Sequence, residues 1–311
     1  MNRRPRAVFF GTPSFAVPIL EALGGVAEIA AVVTQPDQPA GRGQNRQPSP
    51  VNRRARELGV PVLVPAKLDH EFIYQFNAGK PDLAVLAAYG KILPLAVLAV
   101  PPKGFVNVHP SLLPRHRGPS PVAATLLAGD PVTGVTLIVL DEEMDHGPII
   151  AQQTINIGPH EHRPALERRL ANLGANVLRQ ALLPYCHGWL QPQPQNHALA
   201  TFCKLLKKTE APLTWKEPAD MLERKIRAFD PWPGTHTSFN GRRLKILDAE
   251  ARAESAANPP GTVIIDDETP TVVCGAGQLR LKSLQLAGQK PTAAVAFAHG
   301  HRDFVGAILG S

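Results

Sequence analysis

Cysteine is scarce in this sequence of 311 residues, and its three occurrences follow no recognisable pattern. Cys186, Cys203 and Cys274 lie far apart, and none belongs to a CxxC motif. An odd number of scattered cysteines argues against a disulfide framework and against a cysteine-ligated zinc site. Because such usage is typical of a reducing compartment, we expect a cytoplasmic protein.

Apolar runs are also short. The longest fall below the roughly 18 residues that a membrane-spanning helix needs, so we expect no membrane association. The run RAVFF at residues 6–10 is already typical of a buried strand, and we expect no removable secretory leader before it. The length and the apolar content of 44% are sufficient for two domains with separate cores.

Three motifs that would identify a cofactor or a catalytic class are missing. The first strand-to-helix turn, FFGTPSFA, has one glycine instead of the G-x-G-x-x-G fingerprint, which argues against NAD. The HExxH spacing is absent and we expect no metal, although His109 and His116 with a nearby acidic loop remain an alternative metal site. Ser111 lies outside a G-x-S-x-G elbow, which argues against a covalent serine intermediate.

Positive charge is in moderate excess and is unevenly distributed. The net charge is +7, with 33 Lys and Arg against 26 Asp and Glu. The segment GRGQNRQPSPVNRRAR at residues 41–56 carries five arginines and no acid. A basic soluble surface would explain the total, but unpaired arginines in a long polar segment favour an arm that binds phosphate groups.

The first half of the chain alternates short apolar strands with helical patterns. Strands that are apolar on both faces and alternate with helices predict an α/β fold with a Rossmann-like, mostly parallel sheet. A proline- and glutamine-rich segment without periodicity follows, and beyond it closely spaced short strands predict a small β-barrel of the OB type. We therefore divide the chain into a catalytic domain at residues 1–187, a linker at 188–203 and a C-terminal domain at 204–311.

Two polar clusters follow apolar runs that we interpret as strands. Asn107 and His109 are two residues apart, so their side chains leave the same face of an extended strand, roughly 6 to 7 Å apart. If the next strand is a neighbour, a carboxylate from the following run LDEEMDHGP can reach the imidazole. Amide and imidazole donors beside a carboxylate would stabilise an oxyanion and move a proton, although a structural histidine and a solvated acidic turn remain alternatives. The acids of this run are Asp141, Glu142, Glu143 and Asp145.

Several segments resemble the methionyl-tRNA formyltransferases, a family of 10-formyltetrahydrofolate-dependent formyltransferases. Such transferases share Asn-x-His followed by SLLPxxRG and a later Leu-Asp-x-x-x-Asp-x-Gly-Pro. The sequence has NVHPSLLPRHRG at residues 107–118 and LDEEMDHGP at residues 140–148. The loop QPDQPAGRG, the following PSPV and the later ERKIRAFDPWPGTH resemble the tRNA-specific members in particular.

The resemblance implies a role for each matching residue. Asn107, His109 and Asp145 match the catalytic trio of the family. The residues that match or border its folate pocket are Ser111, Leu112, Leu113, Pro114, Ala88, Tyr89, Gly90, Ile92, Leu140, Asp141 and Met144. The residues expected to contact tRNA are Arg42, Arg46 and Lys208.

The implied activity is transfer of the formyl group of 10-formyltetrahydrofolate, a co-substrate, to the α-amino group of methionine on charged initiator tRNA. Such a protein would act in translation initiation, and nothing in the sequence demands more than a monomer. One alternative is a folate-dependent formyltransferase acting on a small amine, such as a sugar nucleotide or a purine precursor. A second is a non-catalytic RNA-binding protein built around the barrel.

Overall fold

The computed structural model describes residues 3–40, 45–254 and 256–310. By their internal contacts these residues form two compact units. The first comprises the described residues up to Pro121 together with Val132–Asn156 and Glu167–Lys204, and the second comprises Val122–Pro131, Ile157–Leu166 and the described residues from Leu205 onward.

The chain up to residue 186 alternates strands with helices, as the sequence predicts. The strands are β1 (Arg6–Gly11), β2 (Glu28–Val33), β3 (Gln38–Ala40), β4 (Asn45–Gln47), β5 (Val62–Leu63), β6 (Leu83–Ala87), β7 (Phe105–His109), β8 (Val132–Val139) and β9 (Ile149–Asn156). The helices are α1 (Val17–Val26), α2 (Pro50–Glu57), α3 (His70–Ala78), α4 (Leu95–Leu98), α5 (Pro121–Ala128) and α6 (Arg163–Cys186). A local signal marks the start of α2, where Ser49 Oγ accepts from the Asn52 N–H (3.0 Å).

The first unit is built on a seven-stranded sheet in the order β5-β2-β1-β6-β7-β8-β9. Its strands pair in parallel from β5 through to β7. The last two strands in this order are antiparallel to their neighbours: β8 to β7, and β9 to β8. The predicted α/β class with a mostly parallel sheet is therefore confirmed.

Aromatic side chains form the core on one face of this sheet. Phe10 of β1 lies 5.3 Å from Phe76, 5.4 Å from Tyr89 and 5.1 Å from Phe105, measured between ring centroids. Each of these side chains is at most 1% exposed. Because all five residues of β7 are buried, the packing holds Asn107 and His109 in a rigid strand.

The second unit contains a six-stranded antiparallel sheet in the order β10-β11-β14-β13-β12, with β15 paired to β14. Trp215, 5% exposed, lies in its core and donates from Nε1 to Thr237 Oγ1 (3.1 Å). The predicted small C-terminal β domain of the OB type is confirmed as a separate, antiparallel sheet. Its elements are α7 (Ala219–Phe229), β10 (Thr235–Phe239), β11 (Arg242–Arg252), β12 (Val263–Asp266), β13 (Thr269–Val273), β14 (Gln278–Leu286), β15 (Thr292–Ala293) and α8 (Ala294–Gly300).

Several elements escape the sequence patterns, among them β9, β15 and α8. The strand β9 begins apolar but is mostly polar in its second half, and β15 and α8 are too short for a clear period. Within the described part of the chain, none of the helices combines the length and the apolar character that a membrane crossing requires.

Candidate active site

The structure brings Asn107, His109 and Asp145 together in the first unit. Asn107 Nδ2 donates to Asp145 Oδ1 (3.2 Å), and His109 Nδ1 lies 3.4 Å from the same oxygen. The backbone N–H of Gly118 donates to the other carboxylate oxygen, Oδ2 (2.8 Å). All three side chains are buried, with 6%, 4% and 9% of their residue surfaces exposed. Both oxygens of the Asp145 carboxylate therefore accept hydrogen bonds.

The loop after β8 must fold back to place Asp145 there. The strands β7 and β8 are antiparallel, and Val139 at the end of β8 pairs with Val106 rather than with His109. Asp145 has a left-handed backbone with φ of 53°. A Cβ at Gly147 would collide with the carbonyl oxygen of Val139, so only glycine allows the loop to approach the strand this closely. The carboxylate therefore reaches β7 through a tightly constrained turn.

His109 is also held at its second ring nitrogen. Nε2 donates to the carbonyl oxygen of His116 (3.1 Å), and His116 itself is left-handed with φ of 60°. In this state both nitrogens of His109 face protein atoms. To donate to a substrate, Nε2 must exchange its bond with His116 for one to the ligand.

The segment Ser111–Pro114 is pinned to the antiparallel part of the sheet. Thr136 of β8 donates from Oγ1 to the Ser111 carbonyl (2.6 Å) and accepts from the Leu113 N–H (3.1 Å). Gln152 of β9 donates to the Leu113 carbonyl (3.0 Å). Leu112 and Pro114 are half-buried, so this segment forms a fixed, partly exposed wall beside the trio.

The other predicted folate residues divide into buried and exposed ones. The Tyr89 side chain is part of the aromatic core, where burial raises its pKa to about 12, and only its backbone can border a pocket. Ile92 and Met144 are 82% and 51% exposed. Ala88 and Gly90 both have positive φ, so the chain turns sharply on leaving β6. Leu140 is half-buried, and Asp141 accepts from His146 Nδ1 (2.7 Å).

The predicted tRNA contacts are only partly described. Arg42 lies outside the described residues. Arg46 belongs to β4, which pairs with β3 in a two-stranded ribbon. Lys208 begins a short 3-10 turn, Lys208–Glu210, and is exposed.

Sequence reasoning missed three groups that surround the trio. The first is the Gly118 N–H. Its only signal in the sequence was the SLLPxxRG motif, which indicated the family but no role for this residue. Arg117 and Gln195, 3% and 5% exposed, are the others. Gln195 lies in the aperiodic run QPQPQ, which carries no pattern that could have identified it. Cys203 is also close to the trio, but burial raises the pKa of its thiol and the charge of Asp145 adds to the rise, so it is a poor nucleophile.

Family profiles match both parts of the chain. The profile described as "Formyl transferase" matches residues 5–182, and that described as "Formyl transferase, C-terminal domain" matches residues 205–302. The methionyl-tRNA formyltransferase of Roseiflexus sp. (strain RS-1) is 47% identical over 309 residues, covering 98% of this chain and 95% of that relative.

Solved structures share the fold at low sequence identity. HypX from Aquifex aeolicus in complex with tetrahydrofolic acid is 16% identical with a TM-score of 0.63, covering 97% of this chain and 48% of that one. An N-formyltransferase from Helicobacter canadensis in complex with folinic acid and dTDP-3-aminofucose is 16% identical with a TM-score of 0.66. The match covers 90% of this chain and 99% of that one. These likenesses establish the architecture.

Proposed function

The chain belongs to the formyl transferase family, among the methionyl-tRNA formyltransferases, and from this membership we propose that it formylates the α-amino group of methionine on charged initiator tRNA. The formyl donor is 10-formyltetrahydrofolate. The observation that carries the proposal is the contact of Asp145 with Asn107 and His109 at the end of β7. The resemblance stated from the sequence is thereby confirmed at the level of the family.

We assign chemical roles to the trio from its geometry. The bound folate supplies an activated formyl carbon. The Nδ2 of Asn107 has a second N–H beyond the one directed at Asp145, and it can donate to the formyl oxygen as negative charge develops there. His109 supplies the second donor once Nε2 leaves the His116 carbonyl. As the amine attacks the formyl carbon and the bond from that carbon to N10 of the folate breaks, Asp145 balances the imidazolium. Through a water molecule it accepts the proton that the amine loses, and this proton is then returned to the leaving N10.

The residues present fit a flat, partly apolar ligand. Thr136 and Gln152 fix the wall at Leu112–Pro114, and a rigid wall lowers the entropy cost of holding a ring system in place. Exposed apolar side chains at Ile92 and Met144 offer surface that a ligand would cover. We propose that these segments, with Ala88 to Gly90 and Leu140 to Asp141, line the folate pocket.

The acceptor is proposed to be tRNA rather than a small amine. The Roseiflexus relative matches this chain through both domains, and Arg42 and Arg46 of the basic segment supply charge for phosphates. Arg54, farther along the segment, is paired with Glu21 and Glu57. We further propose a cytoplasmic monomer divided into a catalytic domain at residues 1–187, a linker at 188–203 and a tRNA-binding domain at 204–311. The three cysteines are free thiols, which suits a reducing compartment.

The direct test is formyl transfer from 10-formyltetrahydrofolate to charged initiator tRNA. We expect stoichiometric release of tetrahydrofolate and formation of formylmethionyl-tRNA, with free methionine and an amino sugar nucleotide unreactive. Transfer to the sugar nucleotide alone would support the small-amine alternative. Folate binding without transfer to any acceptor would contradict the enzymatic assignment.

Replacing Arg42 by alanine is expected to raise the KM for tRNA by about tenfold, because one charged contact to phosphate is lost. The KM for folate should not change. The plot of log(kcat/KM) against log[salt] should also become less steep, with the magnitude of its negative slope smaller by about one unit. Steady-state kinetics at several salt concentrations measure all three quantities.

The matched control for Arg42→Ala is Arg179→Ala on α6. Arg179 is exposed and donates to Asn176 Oδ1 (2.7 Å), so its loss removes the same charge from another surface. An unchanged tRNA KM in Arg42→Ala, or an equal rise in Arg179→Ala, would remove the basic loop from the binding scheme.

A further inference from the structure

The segment at residues 188–203, predicted as a linker, belongs to the first unit and is paired to the rest of that unit near the trio. Gln193 exchanges two backbone hydrogen bonds with Ile149, of 2.7 and 2.8 Å. Farther along, the Cys203 N–H donates to the Arg117 carbonyl (2.8 Å), and the Arg117 N–H donates to the Thr201 carbonyl (2.8 Å). These two pairings fix the intervening residues beside the loop that carries Asp145.

Gln195 lies between the two pairings and its side chain is directed at that loop. Its Nε2 donates to the carbonyl oxygens of both Asp145 (2.9 Å) and Gly147 (2.8 Å). One side-chain amide therefore uses both of its N–H groups on the backbone of the turn. Since Asp145 has φ of 53°, a conformation that costs free energy for a residue other than glycine, the turn needs such external support.

Arg117 determines which way the Gln195 amide points. Its Nη2 and Nε donate to Gln195 Oε1 (2.7 and 3.2 Å), and Nη2 also donates to Nδ1 of His197 (2.8 Å). A guanidinium has no acceptor, so the oxygen of the amide must face Arg117 and the nitrogen must face the two carbonyls. Every polar atom of this buried amide is thus satisfied in one orientation.

We infer that Gln195 is a positioning residue of the formyl-transfer site, held by Arg117, that keeps Asp145 within reach of Asn107 and His109. It touches neither substrate in this scheme and acts through the backbone of Asp145. The inference rests on the proposed function for its kinetic consequence, whereas the contacts themselves do not depend on it. The turn would be free to relax without Gln195, and a carboxylate displaced by about 1 Å typically costs a large factor in rate.

The test is Gln195→Met, which nearly preserves volume and removes both N–H donors. We expect kcat for tRNA formylation to fall by about 10- to 100-fold, with the KM values for tRNA and folate unchanged within about twofold. Backbone amides in residues 141–147 should also exchange with deuterium faster than in the unmodified protein. The matched control is Gln193→Met in the same run, because Gln193 is exposed and its amide donates to the Gln191 carbonyl (3.2 Å).

A double-mutant cycle separates positioning from a general loss of stability. If Gln195 acts through Asp145, adding Gln195→Met to Asp145→Asn should lower kcat by less than about twofold. A full additional loss in that background, or an unchanged kcat in Gln195→Met alone, would overturn the inference.

A second variant and a second measurement cover the cases in which Gln195→Met does not fold or the unmodified enzyme is inactive. If circular dichroism shows that Gln195→Met does not fold, Gln195→Glu replaces it. One carboxylate oxygen still accepts from Arg117, and the other takes the place of the amide nitrogen and faces the carbonyl oxygens of Asp145 and Gly147. We expect Gln195→Glu to fold with a kcat reduced at least as much, and a folded variant with full kcat would contradict the inference. If the unmodified enzyme formylates no charged tRNA, the proposed function fails instead, and the deuterium exchange of residues 141–147 still decides whether Gln195 holds the turn.

Discussion

Asn107→Ala is expected to lower kcat for formyl transfer by about 10²- to 10³-fold, the usual effect of removing one oxyanion donor and equivalent to about 2.7 to 4 kcal/mol. Asn107 is 6% exposed and its Nδ2 already donates to Asp145 (3.2 Å). The variant therefore loses the donor aimed at the formyl oxygen and one of the groups that orient the carboxylate. The KM values for tRNA and folate should change little, since the interaction strengthens in the transition state.

Asn107→Asp removes the same two interactions without a change of shape. The shape is kept, but an acceptor replaces the donor and faces the Asp145 carboxylate at hydrogen-bonding distance, so we expect a loss of kcat at least as large. Thr34→Val serves as the control for a lost buried polar group, because Thr34 is fully buried and its hydroxyl pairs with Ser49 Oγ (2.8 Å). Asn107→Ala with undiminished kcat, measured at saturating substrates, would contradict the oxyanion role.

The placement of Asn107 and His109 could be predicted from the sequence because it depends only on the two-residue period of a strand. Both side chains reach Asp145, as a shared face requires. The choice among the neighbouring acids could not be made from residue types alone. It depends on the left-handed turn at Asp145 and on the approach of Gly147 to Val139, and both are properties of the folded loop.

The direction of β8 relative to β7 also could not be predicted from the sequence. A buried apolar run has the same composition in a parallel and an antiparallel strand, so the run GVTLIVL did not indicate that β8 is antiparallel to β7. That direction explains why the loop after β8 must fold back along β7 to the site. Gln195 was missed for a similar reason, since proline-rich extended segments carry no periodicity and their partners are fixed by tertiary pairing.

The second large effect is expected for Asp145→Asn, which should lower kcat by about 10³- to 10⁴-fold, toward the upper end of what general acid–base groups contribute. The carboxylate accepts from Asn107 Nδ2 and the Gly118 N–H through different oxygens, and His109 Nδ1 lies 3.4 Å from the first of them. An asparagine offers one oxygen. If it faces Gly118, its NH₂ opposes the donors of Asn107 and His109, and if it faces those two, the Gly118 N–H is left buried without an acceptor.

Asp145→Asn also removes the negative charge of the carboxylate, in addition to one of its two acceptor oxygens. The imidazolium of His109 no longer has a counter-charge, and the site has no carboxylate to accept the proton of the attacking amine. Because Asn is nearly isosteric with Asp, the variant should bind 10-formyltetrahydrofolate with unchanged Kd, measured by equilibrium titration. Single-turnover formylation of charged tRNA should show the defect in the chemical step rather than in binding.

Asp69→Asn is the matched control for Asp145→Asn, because Asp69 also accepts a backbone N–H, that of Phe72 (3.3 Å), at the start of α3. The same chemical exchange there should leave kcat unchanged. A normal single-turnover rate in Asp145→Asn would mean that bulk water removes the amine proton and that the carboxylate only supports the fold. Weaker folate binding with an intact rate of transfer would instead place Asp145 in the pocket wall, and the proton would then have to leave by another route.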